Sequence, residues 1–254
     1  MEGRKKKLAI RKLMHVLANP KGYFRSKSIL SKLQARNEKV VLLITCGPSL
    51  ELVKNMFGFK QILDKHFLIC IKQAYNEFQN QTDIHIVNDI RYPGYKYGPN
   101  KPLVLSVGKS SSNVTSDAHF PIIDYGYSTA TFVTNDYDGD SLVNKPYFRQ
   151  NGVGIMYELG LFIPQLLNCK KLVIVGFDMN KVGKYHYYDD DKAENAMSYS
   201  VDNQELMYNQ KTTPYLEEWL RSINIDVALF SPLSSLPFEK KISTVEELNE
   251  FISN

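Results

Sequence analysis

Runs of consecutive apolar residues, rich in Val, Ile and Leu, recur along the chain and predict buried strands. A strand that is covered on both faces of a parallel sheet shows such a run instead of an alternating pattern. The predicted strands lie at residues 39–45, 67–71, 84–87, 102–107, 170–178 and 227–232.

Segments with apolar residues at helical spacing follow several of these runs. The first predicted helix begins after residue 49 and runs through Phe57. The others cover residues 155–167, 214–223 and 245–252. Strands that alternate with helices form a parallel sheet with helices on both faces. The predicted fold class is therefore α/β, a Rossmann-like parallel sheet within one domain of residues 39–254. Residues 108–150 give only a weak pattern, and residues 179–213 form a polar excursion.

Residues 1–38 are predicted to form a separate basic arm. Residues 1–40 hold twelve Lys or Arg and two Glu, a net charge of +10, so the remainder carries −6 within the total of +4. Residues 4–17 also show an apolar stripe and predict an amphipathic helix that ends at Asn19-Pro20. We expect this helix to lie on an anionic membrane surface. Packing on the domain is the alternative; nucleic acid would attract the same charges, but it is not expected as a partner.

The composition favours a reducing compartment. Cys46, Cys70 and Cys169 are far apart and lie in apolar runs, which is typical of buried thiols and not of a disulfide framework or a zinc site. No run of eighteen apolar residues occurs, and no apolar segment of a secretory signal follows the basic start. We therefore expect a cytoplasmic protein that is peripheral on the inner face of the membrane.

Polar residues after the predicted strands are candidate ligand contacts, because open parallel sheets bind ligands at the carboxyl ends of their strands. After the first strand, Gly47 lets the backbone approach a ligand, and Ser49 can donate to a phosphate or cap the next helix. A capped turn without a ligand is the alternative. The other candidates at strand ends are Gln73, Asn88, Asp178 and Asn180, with an Asx turn as the alternative for Asn88. Asn151 and Gly152 open a predicted helix, whose start can hold an anion.

Residues 184–191 combine His186 with three tyrosines and three aspartates. His186 can act as a general base, since its pKa lies near the working pH. The aspartates there, and those of residues 136–140, can bind a divalent metal, although solvated loops show the same composition. No G-x-G-x-x-G or Walker loop occurs, so dinucleotide and P-loop ATP sites lose support.

Three segments together resemble the bacterial sialyltransferases of glycosyltransferase family 42. Residues 40–50, VVLLITCGPSL, resemble the family's opening strand and G-P-S-L turn. Residues 151–153 and 171–178, NGV and KLVIVGFD, resemble its S-G-V … G-I-D segment, and residues 230–234 are similar to its late C-P-x-S. The order and spacing agree over residues 40–236. A wider group shares this core, including 6-hydroxymethylpterin pyrophosphokinase-like proteins and motility accessory factors.

This resemblance implies an inverting transferase with a CMP-activated acidic sugar donor, a lid at about residues 179–213, and no metal or other cofactor. Gly47, Pro48 and Ser49 would hold the phosphate and ribose, and Gln73 and Asn88 would contact the nucleotide. The remaining donor contacts carried over by position are Asn151, Gly152, Asp178, Asn180, Tyr185 and Tyr187.

The chain departs from the family pattern at several of these positions. Cys46 and Lys72 stand where the family has Asn, and Asn151 stands where it has Ser. No His occurs at residues 203–208, where the family's catalytic His lies. The candidate catalytic residues are therefore His186 and Asp189, with Asp190 and Asp202 as alternatives, and the identity of the base stays open.

The leading hypothesis is a sialyltransferase-like enzyme that transfers a nonulosonic acid or related acidic sugar to a cell-surface glycan or a lipid-linked acceptor. One alternative is Mg²⁺-dependent pyrophosphoryl transfer from ATP to a pterin-like alcohol. The other is a nucleotide-binding protein without catalysis. A homo-oligomer is compatible with all three hypotheses.

Overall fold

The described residues of the computed structural model form one parallel sheet. The described residues are 10, 13–14, 16–88, 95–108, 116–123, 149–150, 156–179 and 199–254. The strands are β1 (Val40–Ile44), β2 (Phe67–Ile71), β3 (Ile84–Asn88), β4 (Leu103–Gly108), β5 (Ala118–Ile123), β6 (Arg149–Gln150), β7 (Lys171–Val175) and β8 (Asp226–Phe230). Their order across the sheet is β6-β5-β4-β3-β2-β1-β7-β8. Every neighbouring pair is parallel.

Helices cover both faces of this sheet. The α-helices of the described residues include α1 (Pro20–Gln34), α2 (Ser49–Val53), α3 (Phe59–Leu63), α4 (Phe162–Leu166), α5 (Tyr199–Ser222) and α6 (Val245–Ser253). A 3₁₀ helix covers Lys72–Asn76, and a π-helical turn covers Met156–Gly160. Within the described part of the chain, every helix is too short or too polar to span a bilayer.

Two hydrophobic cores lie on opposite sides of the sheet. Alternate residues of β1 face opposite sides, as the pleat of a strand requires. Val41 and Leu43 belong to the core under α1, α4 and α5, whereas Leu42 and Ile44 belong to the core under α2, α3 and α6. All five residues of β1 are buried. The predicted α/β class is therefore confirmed, with helices packed on both faces of a parallel sheet.

The strands predicted from apolar runs are present, but two strands were missed. β5 and β6 lie within the weakly patterned residues 108–150. β5 contains His119 and Pro121, and a proline within a run argues against a strand. The β5 backbone still pairs with β4 and β6, which places it towards the edge of the sheet.

The start of the domain differs from the predicted boundary at residue 38. Asn19 ends the first helical stretch, as predicted, but its side chain also accepts from Gly22 N at 3.0 Å and caps α1. Proline at the first helical position suits such a start. Ser26 of α1 is buried, and its Oγ both donates to the His119 carbonyl and accepts from His119 N, at 3.2 Å each. Residues 20–34 therefore pack on the sheet as part of the domain.

Two helices differ from their predicted extent. The helix after β1 is interrupted at Gly58, whose φ of 88° is left-handed, and this separates α2 from α3. α5 begins at Tyr199, well before the predicted start at Pro214, so residues 199–213 are helical. The buried hydroxyl of Thr213 donates to the Asn209 carbonyl at 2.6 Å. Pro214, a residue typical of a first turn, lies inside this helix, which is why the sequence placed the start there.

Candidate functional site

The candidate site lies where β1 and β7 meet at the centre of the sheet. Strands β2 to β6 continue from β1 in one direction, and β7 and β8 extend in the other. The helices after β1, α2 and α3, pack in one core, whereas α5 after β7 packs in the other. The two connections thus turn to opposite faces, as they do at the crevice where open α/β sheets bind ligands, at the carboxyl ends of the strands. Such a switch point is the usual ligand site of an open α/β sheet.

Two glycines let the chain segments after β1 and β7 approach closely. Gly47 N donates to the Gly176 carbonyl at 2.7 Å. A Cβ at Gly47 would lie 2.3 Å from that oxygen and 2.5 Å from Asp178 Oδ2, which is closer than real Cβ contacts allow. Gly176 has a φ of 71°, which favours glycine. The glycine of the predicted turn is therefore required for packing between the two segments.

A buried pair, Ser49 and Asp178, fastens these segments together. Ser49 N donates to Asp178 Oδ2 at 2.6 Å, and Ser49 Oγ donates to Asp178 Oδ1. Leu233 N, after β8, donates to Ser49 Oγ at 2.9 Å. Ser49 is 0% and Asp178 1% exposed. The pair thus joins the segments after β1, β7 and β8.

This pair changes how the two residues can serve a ligand. The hydroxyl hydrogen of Ser49 is already donated, and the Asp178 carboxylate occupies the start of α2, where a phosphate was expected. Burial raises the pKa of Asp178 above its ordinary 3.8, and the two Ser49 hydrogen bonds oppose that rise. The structure therefore supports a positioning role for both residues. Their direct contact with a donor stays a prediction.

Four other predicted contacts lie at the same edge of the sheet. Gly47 and Pro48 are partly exposed after β1, and Gln73 is partly exposed two residues after β2. Because β1 and β2 are neighbours, these residues are close in the fold. Asn88 ends β3, two strands from β1, where its backbone pairs with Val107.

The remaining predicted site residues lie outside the described residues. These are His186, Asp189, Asn151, Gly152, Asn180, Tyr185 and Tyr187, together with the acidic residues 136–140 and 189–191. Their roles stay predictions. Within the described part of the chain, no group of three or more His, Cys, Asp or Glu is arranged to hold a metal ion.

A buried histidine on β3, two strands from β1, was not singled out from the sequence. His85 on β3 is fully buried, and its Nε2 lies 2.8 Å from the carbonyl oxygen of Lys72, the residue after β2. Its Nδ1 lies 2.9 Å from the Tyr97 hydroxyl. Burial lowers the pKa of His85 from 6.5 to about 4, so the ring is neutral at pH 7. The sequence signal for this site is a histidine inside an apolar strand, which needs hydrogen-bond partners once buried.

A groove of about 360 Å³ lies at the opposite edge, beside the first residues of β7 and β8. Its charged groups serve the fold. Lys171 Nζ donates to the carbonyls of Phe251 at 2.7 Å and Ile252 at 3.2 Å, at the end of α6. Arg221 pairs with Glu239. We place the candidate site at the switch point instead, because the groove lies at the amino ends of the strands.

We compared the chain with protein-family models and with curated proteins. No protein-family model matches the chain, and a search of curated proteins returns no match. The assignment of function therefore depends on the motifs and on the geometry at the switch point.

Proposed function

We propose that the chain is a glycosyltransferase that moves a nonulosonic acid or related acidic sugar from a CMP-activated donor to a cell-surface glycan or lipid-linked acceptor. One observation carries the proposal. Three segments that resemble family 42 motifs, far apart in sequence, are joined by the bonds of Ser49 with Asp178 and Leu233. They meet at the switch point, where sheets of this class bind nucleotides.

In this proposal the Ser49–Asp178 pair fixes the shape of the crevice and the partly exposed residues line it. The backbone at Gly47 and Pro48 lies beside the donor, and Gln73 and Asn88 contact the nucleotide. The switch point supports this division, because a buried, mutually bonded pair is rigid and leaves the neighbouring backbone to meet the ligand.

The proposed chemistry is a single displacement at the anomeric carbon. His186 or Asp189 removes the proton of the acceptor hydroxyl. The acceptor oxygen forms a bond to the anomeric carbon while the bond to the phosphate oxygen breaks, and CMP leaves with that bonding pair. Attack opposite the leaving group inverts the configuration. Residues 199–213 of the predicted lid belong to α5, so the residues that precede this helix are proposed to cover the site during this step.

The basic arm is proposed to keep the enzyme beside a lipid-linked acceptor at the inner face of the membrane. Ile10, Leu13, Met14 and Leu17 are each 57–65% exposed, which leaves an apolar surface among the cations of the arm. Each cation close to an anionic surface contributes about 1 kcal/mol to binding. The exposed side chains supply the apolar contact that charge alone lacks.

A thermal-shift screen with CMP, CDP, UDP, GDP and ATP tests the proposed donor. A nucleotide that binds the folded chain raises its melting temperature, so we expect shifts with CMP and CDP. Stabilisation by ATP alone, in the presence of Mg²⁺, would instead favour the pyrophosphokinase alternative. A chain stabilised by no nucleotide would contradict the proposal.

Turnover tests the reaction itself. Purified protein is expected to release CMP from a CMP-sugar in the presence of EDTA, and the release is expected to stop on substitution of His186 or Asp189. The matched control is His66→Gln, since His66 lies between α3 and β2. CMP release that is absent in the parent protein would leave the alternative of nucleotide binding without catalysis.

A further inference from the structure

Lys72 has a backbone conformation that side-chain-bearing residues avoid. Its φ is 50°, in the left-handed region. A Cβ is crowded there, so glycine is the usual choice and lysine costs stability. Lys72 opens the 3₁₀ helix at the carboxyl end of β2. Such strained residues persist where surrounding contacts hold them, and they cluster at functional sites.

The contact that holds this residue comes from His85. A carbonyl oxygen can only accept, so the 2.8 Å contact between His85 Nε2 and the Lys72 carbonyl requires a hydrogen on Nε2. In the neutral ring Nδ1 is then an acceptor, and it accepts a hydrogen bond from the Tyr97 hydroxyl at 2.9 Å. The ring stacks on Tyr75, with centroids 4.5 Å apart and planes inclined by 17°. These contacts fix the ring and, through it, the Lys72 backbone.

Lys72 lies beside the turn that follows β1. Ile44 pairs with Cys70 in the parallel register, so Lys72 is level with Cys46, the residue before Gly47. The thiol of Cys46 donates to the Ile71 carbonyl at 3.3 Å, which ties the two strand ends together. Lys72 thus lies at the carboxyl edge of the sheet, beside the turn after β1 and one strand away from the junction of β1 with β7, where the ligand crevice is proposed.

The charge of Lys72 is not used by the described part of the fold. Lys54 pairs with Glu77 at 3.0 Å, and Lys101 pairs with Asp117 at 3.2 Å. Lys72 is half-buried, and no described carboxylate forms an ion pair with it. A lysine ammonium is a compact point charge on a long stem, well suited to a phosphate.

We propose that Lys72 binds a phosphate group of the ligand in this crevice, and that His85 is a positioning residue that holds Lys72 for this contact. The proposal rests on the proposed function for the identity of the ligand, a nucleotide-activated sugar. It assigns the charge that offsets the leaving phosphate to a residue at the end of β2. The strain at Lys72 is then retained because the cation is needed at that point.

Calorimetric titration with inorganic pyrophosphate tests the cation without assuming a base or a sugar. Lys72→Gly relieves the left-handed strain and removes the charge. We therefore expect a higher melting temperature together with roughly ten-fold weaker binding, the loss of one charge-assisted contact. Lys72→Arg keeps the charge and is expected to bind within about three-fold of the parent.

Asn224→Gly is the matched control. Asn224 also has a left-handed φ, 60°, but it lies after α5. It is expected to raise the melting temperature and leave pyrophosphate affinity unchanged. Equal pyrophosphate affinity in Lys72→Gly and the parent protein would overturn the proposal, as would a parent protein that does not bind pyrophosphate.

A double-mutant cycle tests the positioning role. His85→Phe keeps an aromatic ring on Tyr75 and removes the donor to Lys72. We expect roughly ten-fold weaker pyrophosphate binding when Lys72 is present, and no further loss in the Lys72→Gly background. An equal loss in both backgrounds would show that His85 does not act through Lys72.

Failure of this proposal and failure of the proposed function are distinguishable. If pyrophosphate binding depends on Lys72 but no CMP-sugar is turned over, the phosphate site stands and the sialyltransferase-like function is wrong. If CMP-sugars are turned over with the same KM in Lys72→Gly and in the parent protein, the function stands and the role of Lys72 is wrong.

Discussion

Replacement of Ser49 by Ala tests how strongly the buried pair holds the centre of the fold. The substitution removes the hydroxyl that donates to Asp178 and accepts from Leu233 N at 2.9 Å. A hydrogen bond to a charged group contributes about 1.5–3 kcal/mol, and a neutral one about 1 kcal/mol. We therefore expect the free energy of unfolding to fall by about 2.5–4 kcal/mol, a large part of the roughly 5–15 kcal/mol of an ordinary domain.

Urea unfolding followed by circular dichroism at pH 7 measures this loss, with Ser235→Ala as the matched control. Ser235 is exposed, and its hydroxyl donates to the Met179 carbonyl at 2.9 Å. A surface change of this kind costs less than about 1 kcal/mol. If Ser49→Ala is no less stable than Ser235→Ala at an unchanged denaturant slope, the pair does not stabilise the switch point.

The same comparison at lower pH checks the electrostatic part of the argument. Burial raises the pKa of Asp178, and the Ser49 hydroxyl stabilises its ionised form. The Ser49→Ala variant therefore loses a partner of the carboxylate. As the pH falls towards the ordinary value of 3.8, Asp178 becomes protonated in the folded state. The stability difference between variant and parent is expected to shrink in that direction, and a difference that grows would refute the assignment.

Three further changes have defined outcomes. Gly47→Ala would place a Cβ 2.3 Å from the Gly176 carbonyl and is expected to lower the melting temperature clearly, whereas Gly98→Ala, in open space, is expected to leave it unchanged. Because burial lowers the pKa of His85 to about 4 from 6.5, the unfolded chain binds more protons in that window. Acid from pH 6.5 to 4 should therefore remove up to about 3 kcal/mol of unfolding free energy. Urea titrations of the His85→Gln variant should lack this component, and an identical pH slope would exclude His85 as its source. Deletion of residues 1–18 is expected to abolish sedimentation with anionic vesicles and preserve turnover on a soluble acceptor; vesicle binding that persists would assign the contact elsewhere.

The sheet could be predicted because its central strands are fully buried. In β1, β2 and β7 the side chains on both faces of the strand pack in a hydrophobic core. The sequence of each strand is therefore a continuous run of apolar residues, which predicts a buried strand. β5 carries none, since His119 and Pro121 interrupt the pattern. α1 was also missed, because it fully buries only Ser26, Leu30 and Leu33, and its basic and polar residues obscure the apolar stripe.

The turn at the site could also be located, but the partners of its side chains could not. The sequence Gly47-Pro48-Ser49 follows a buried strand. This pattern predicts a turn whose backbone another group can approach closely. The sequence could not show that the approaching group is Asp178, because that contact depends on the pairing of β1 with β7. The left-handed φ of Lys72 was equally hidden, since lysine rarely adopts it.

The central place of β1 has a consequence for synthesis of the chain on the ribosome. One side of β1 finds its neighbour β2 soon after translation, but the other side waits for β7. Thr45 at its end donates to the Val175 carbonyl, 130 residues further along. Until then five consecutive apolar residues border an unpaired edge, which is the surface that drives strand-to-strand aggregation. Nascent chains that stop before β7 are therefore expected to need a chaperone to stay dispersed.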